Sequence, residues 1–117
     1  EELSEILDEP VSLEKDMSNT EMFKSGPRVK VLENIRVYKG EKNNDSERGK
    51  SLGLLGDVYV FDAFGTSHRK QASTYEALIQ SKESCAGFLL KNEVEALNKS
   101  LQNPPMPNIA IIGGATV

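Results

Sequence analysis

Residues 56–72 read GDVYVFDAFGTSHRKQA and constrain the fold more than any other stretch. The stretch begins with an apolar run, Val58-Tyr59-Val60-Phe61, with the composition of a strand. It breaks at Asp62, Ala63, Phe64 and Gly65, then ends in Thr66-Ser67-His68-Arg69-Lys70. A buried strand whose carboxyl end opens into a glycine and clustered cations is how an open α/β sheet makes an anion site.

Two further runs match it. Residues 29–32 are short, half of them β-branched, and form the first strand candidate. Residues 109–112 form the third, closed by Gly113-Gly114. Each run is nearly continuous in apolar residues, the pattern of strands buried on both faces in a parallel sheet. Helical patterns lie between and before them. Leu3, Ile6 and Leu7 are spaced for a helix that Pro10 stops. Met17, Met22 and Phe23 fit one short helix within an otherwise irregular stretch, residues 11–28. Residues 51–55 predict a helix ending at Gly56, with Asp45 or Ser46 as its N-cap. Residues 39–50, KGEKNNDSERGK, predict a solvent-exposed loop. Residues 73–84 fit no single pattern. Phe88, Leu89, Leu90, Val94, Leu97 and Leu101 make a helical stripe ended by Asn103-Pro104-Pro105. Strands joined by helical crossovers predict an α/β fold: a partial doubly wound, Rossmann-like parallel sheet of three core strands with flanking helices.

The chain of 117 residues has room for one domain at most. An apolar fraction of 38% with 27% charged residues is a globular composition rather than a disordered one. The net charge of −4 argues against a general nucleic-acid binder but leaves room for a local cationic pocket. Apolar runs of about four residues are far short of a membrane span, so no membrane partner is expected. No leader pattern is visible, and one cysteine, Cys85, gives no internal disulfide. A reducing, cytoplasmic location is the default expectation.

In a parallel sheet all strand carboxyl ends share one edge. That edge would gather Arg36, the Thr66–Arg69 cluster, and Gly113-Gly114. Arginine's planar fork suits a phosphate or carboxylate. The alternative is that Arg36 and Arg69 are surface residues, or pair with Glu33 and Asp62. His68 fits a phosphate donor, and fits a surface histidine better. Gly113-Gly114 matches neither a Walker loop nor GxGxxG, and a plain tight turn explains it as well. Asp62 fits a turn residue bonding local amides, and Cys85 a small core residue. One His and one Cys assemble no metal cluster, and no nucleophile elbow or triad pattern is present.

These residues carry a family resemblance. The segment GDVYVFDAFGTSHRKQAST resembles the phosphoglycerate kinase signature in which a strand leads into DAFGTAHR. Leu32-Glu33-Asn34-Ile35-Arg36 resembles that family's LEN-(L/V/I)-R-F strand, and Gly40-Glu41-Lys42 its bacterial-type GEKK loop. Ala86-Gly87-Phe88-Leu89-Leu90 resembles its AGFLL segment, and IAIIGGATV at residues 109–117 its VAIxGGAKV strand. The match covers nearly the whole chain, in order.

The resemblance implies that residues 1–117 are the second half of an incomplete N-terminal domain, with the first part of that domain and the nucleotide-binding domain absent. It implies a parent enzyme of glycolysis that moves a phosphoryl group between 1,3-bisphosphoglycerate and ADP, giving 3-phosphoglycerate and MgATP. The family's basic patch carries over to Arg36 and Arg69 as substrate-binding residues, with His68 as a weaker candidate. MgATP or MgADP belongs to the full-length parent, expected to be a cytoplasmic monomer, and not to this segment. No turnover is expected of these residues alone, because positioning and charge stabilisation in phosphoryl transfer need both substrates' sites. The sequence departs from the family at two places. Thr116 stands where the family has the lysine of GGAKV, a charge thought to steady the transferring group. Phe61 replaces the usual polar residue or Met before DAFG, a change read as packing. A second implied reading is a degenerate or excised module that binds or scaffolds without catalysis, and Thr116 favours it.

Overall fold

The computed structural model describes residues 1–16, 23–102 and 104–114. Met17, Met22, Asn103 and Thr116 lie outside the described residues.

Helix α1, Glu2–Leu7, is closed by Asp8, whose φ of 51° is left-handed. Pro10 follows, as expected of a helix stop. Strand β1, Val11–Glu14, lies parallel to β2, Val29–Leu32, with Val11 opposite Val29 and Glu14 opposite Leu32. The ladder continues one residue further, where the Glu33 amide donates to the Glu14 carbonyl at 2.9 Å. Lys30 Nζ reaches Glu14 Oε1 at 3.3 Å, and Ser12 Oγ donates to the same oxygen at 2.6 Å. Residues 11–28 are therefore not uniformly irregular. Val-Ser-Leu-Glu alternates apolar and polar with the period of a strand.

A short 3₁₀ turn, Ile35–Val37, follows β2. Asn34 starts it by accepting the Arg36 amide at 3.1 Å. Helix α2, Ser46–Gly53, starts where Asp45 Oδ1 accepts the Arg48 amide at 2.8 Å. It begins five residues before the expected helix and ends before Gly56, with Leu54 as its C-cap. The last five of the twelve residues in the expected charged loop are thus helix, and Glu41 earlier in it is buried, at 1% exposure.

Strand β3, Val58–Phe61, pairs in parallel with β4, Glu83–Ala86. Between them run a π-helical turn, Ala72–Glu76, and helix α3, Ala77–Gln80. The core sits where α2 meets this turn and α3. Leu52 and Ala77 are buried there, and Leu32, Ile35, Tyr38, Leu55 and Tyr59 pack against them. Helix α4, Phe88–Gln102, follows β4 through Gly87 and spans the expected stripe.

The α/β class with parallel strands and flanking helices is as the sequence predicts. The strand set differs: among the described residues, two two-stranded sheets, β1-β2 and β3-β4, stand in place of one three-stranded layer. Residues 109–112 form no strand, and Ile109, Ile111 and Ile112 are exposed. An apolar run suits a buried strand, but no described segment pairs with this one. Cys85 is an exposed β4 residue, not a core one. The strands are not buried on both faces either, since β3 alternates exposed and half-buried positions and β4 is exposed throughout. Among the described residues, no helix is long and apolar enough to cross a membrane.

Candidate functional site

The ends of β2 and β3 meet at a cleft of about 400 Å³. Asn34, Ile35 and Arg36 enter it from the turn after β2. Tyr59 to Ala63 and Thr66 enter from β3 and its following turn, and Gln71, Ser73 and Thr74 close it. Arg36 is an exposed cation at this wall, and its backbone is fixed by the Asn34 cap.

The turn after β3 is self-bonded. Thr66 and Ser67 hydroxyls donate to the Ala63 and Phe64 carbonyls at 3.0 and 2.7 Å, and the Arg69 amide donates to the Thr66 carbonyl at 2.9 Å. Arg69 and His68 stand exposed on this turn, outside the cleft lining. Arg69 Nε donates to His68 Nε2 at 3.4 Å, a long and weak contact. Of the three predicted residues, Arg36 lines the cleft, while Arg69 and His68 lie between two lining residues, Thr66 and Gln71. Gly113 and Gly114 are exposed and are not part of its wall.

Asp62 does more than bond local amides. Its Oδ1 accepts the Leu90 amide at 2.8 Å and so holds the start of α4 to the end of β3. The Gly87 amide donates to the Phe61 carbonyl at 2.9 Å in the same joint.

The sequence places Glu41 in a loop like the family's GEKK but assigns it no role. Its carboxylate accepts from the Ser73 amide at 3.2 Å and from Ser73 Oγ at 2.6 Å, and its carbonyl accepts the Ala72 amide at 2.9 Å. Tyr59 donates its hydroxyl to the Ser73 carbonyl at 2.9 Å. Burial pushes the Tyr59 hydroxyl above its ordinary pKa, and the nearby Glu41 charge adds to the shift. A glutamate in a charged loop carries no signal of burial, so the sequence hides this contact. Among the described residues, no three His, Cys, Asp or Glu side chains converge as a metal site.

Parallel strand pairs, a helical crossover between β3 and β4, and a cleft at the strand ends with Arg36 at its wall define an α/β protein. The family model described as phosphoglycerate kinase matches residues 1–117. The chain belongs to the phosphoglycerate kinase family. It is 47% identical over 117 residues to the phosphoglycerate kinase of Francisella philomiragia, covering all of this chain and 30% of that protein. It is 52% identical over 107 residues to the one from Haemophilus influenzae, covering 92% of this chain and 28% of the relative. The structure of phosphoglycerate kinase from Coxiella burnetii superposes with a TM-score of 0.73 at 42% identity, over 90% of this chain and 26% of that one. The chain thus spans under a third of the length of these relatives.

Proposed function

We propose that residues 1–117 are the phosphoglycerate-binding part of a phosphoglycerate kinase, within its N-terminal domain. The parent transfers a phosphoryl group between 1,3-bisphosphoglycerate and ADP in glycolysis, in the cytoplasm and as a monomer. Arg36 and Arg69 hold the non-transferred phosphate or the carboxyl end of the substrate, with His68 as a neighbour. MgADP or MgATP binds a part of the parent outside these residues. The observation that carries this reading is the placement of Arg36 in the cleft at the end of β3, within a chain matched by the family along its whole length. Two guanidinium groups without a general base suit phosphoryl transfer, which needs positioning and charge stabilisation above all.

The test uses a chimera in which this chain replaces the matching 117 residues of the Francisella philomiragia relative. Arg36→Ala and Arg69→Ala should each weaken 3-phosphoglycerate binding by about 1.5–3 kcal/mol in calorimetry, the worth of a charged hydrogen bond. Unchanged affinity for a variant removes that residue from the site. A second reading, a binding module without catalysis, rests on Thr116 in place of a lysine. The chimera decides it as well, since ATP formation from 1,3-bisphosphoglycerate and ADP excludes that reading.

A further inference from the structure

The buried Glu41 carboxylate has no role in the reading above, yet it touches the segment that follows Arg69. It grips that segment twice: the side chain holds the Ser73 amide and hydroxyl, and the carbonyl holds the Ala72 amide. Ala72 is fully buried, so this end of the segment is fixed. Thr74, the residue after Ser73, turns back on the cation-bearing turn. Its Oγ1 donates to the Arg69 carbonyl at 2.6 Å and accepts the Gln71 amide at 3.2 Å. Tyr59 braces the same segment from β3 through the Ser73 carbonyl at 2.9 Å.

We propose that Glu41 is a positioning residue that sets the Arg69 backbone through Ser73 and Thr74, and so presets the guanidinium for an anionic substrate. This rests on the assignment of Arg69 to phosphoglycerate binding. A carboxylate suits this place because it accepts from the Ser73 hydroxyl and the Ser73 amide at once, the amide facing both of its oxygens at 3.2 and 3.4 Å. A carboxamide keeps these contacts only by turning its nitrogen toward Ser73 Oγ, which must then accept instead of donate, and it loses the charge that strengthens them. A binding group that drifts from its productive geometry loses affinity even when its chemistry is intact.

The chimera provides the test. Glu41→Gln should weaken 3-phosphoglycerate binding at least tenfold and change ADP binding by less than twofold. Thr74→Val, on a half-buried site and close to isosteric, should act in the same direction and guards against misfolding of the buried variant. Arg69→Ala added to either should cost less than it does alone, because the arginine's contribution is already reduced. Equal loss for both ligands, no loss, or full additivity overturns the proposal. If Arg69→Ala alone leaves binding unchanged, the substrate assignment fails instead. Amide exchange then judges the anchoring by itself. Glu41→Gln should speed exchange of the Arg69 amide and spare the β3 amides, and an unchanged Arg69 rate refutes it.

Discussion

Gly53 and Gly87 show how single atoms hold this architecture. A Cβ on Gly53 would lie 2.5 Å from the Ala77 carbonyl and 2.9 Å from the Ser81 amide, both backbone atoms of α3 and its cap. Helix propensity alone favours alanine there by about 1 kcal/mol. Overlap with a neighbouring backbone outweighs that gain, so Gly53→Ala should destabilise by about 1–3 kcal/mol net, seen as a lower urea midpoint in the chimera. At Gly87 the obstacle is a side chain instead. A Cβ would overlap Asp62, which cannot withdraw without releasing the Leu90 amide. Asp62→Ala should cost about 1 kcal/mol, as for a lost helix cap. Gly87→Ala should then cost less in the Asp62→Ala background than in the wild type, because its obstacle is gone. A fully additive pair in urea unfolding would show that the joint does not work through this contact.

Elements differ in how openly the sequence declares them. Helices α1 and α4 follow their apolar spacing, and α2 begins at one of its two candidate caps, Asp45. Strand β3 and its turn are legible for the same reason: apolar side chains followed by a glycine and cations. Strand β4 is not, because Glu-Ser-Cys-Ala owes its extended form to pairing with β3 rather than to its own side chains. Residues 109–112 fail the other way, with a strand's composition and no partner among the described residues. The cleft is half legible. Arg36 announces itself by charge, whereas Glu41 and Ser73 meet through long-range hydrogen bonds that no spacing encodes, and Thr74 bonds locally to Arg69 and Gln71. Glu76 is another such contact, joining α3's approach to α2's start. Gln80 donates to it at 2.9 Å, Ser46 at 3.2 Å and Asn44 at 3.3 Å. The Gln80 bond is the main cause holding its carboxyl below the ordinary value, with partial burial opposing and the Ser46 and Asn44 bonds and the Lys70 charge assisting. A lowered folded pKa stabilises above the unfolded value, about 4.3, and that stability is lost as pH falls through the folded one. The urea midpoint of Glu76→Gln should therefore lie below wild type at pH 7 and converge with it as pH falls from the unfolded value through the folded one. An equal gap across that range would assign the loss to packing.

The whole molecule exposes more than a chain of its mass ordinarily does. Its accessible surface is 9057 Å², against about 6,300 Å² for a compact monomer of 12.9 kDa. Its radius of gyration is 17.7 Å, against about 13 Å. The excess is apolar in part: Phe88 is 84% and Ile111 94% exposed, and Leu97, Leu101, Val58 and Val60 are exposed too. Exposure on this scale marks surface that a partner element covers, which agrees with a chain spanning 30% of its relative. These 117 residues alone should thus bind a hydrophobic dye such as ANS strongly, and the chimera weakly. They should also form no ATP in a coupled assay, since catalysis needs the nucleotide's site as well as the cleft. The chimera then isolates what Thr116 does. A neutral hydroxyl cannot stabilise charge on a transferring phosphoryl group as the family's lysine is thought to do. One well-placed donor of this kind is worth roughly a hundredfold in kcat. On the proposed phosphoryl-transfer reading, Thr116→Lys should therefore raise the chimera's kcat by that order while leaving 3-phosphoglycerate affinity within about twofold, as a charge used only in the transition state would. A rise in affinity with no change in kcat would place the lysine's role in ground-state binding and overturn the transition-state assignment.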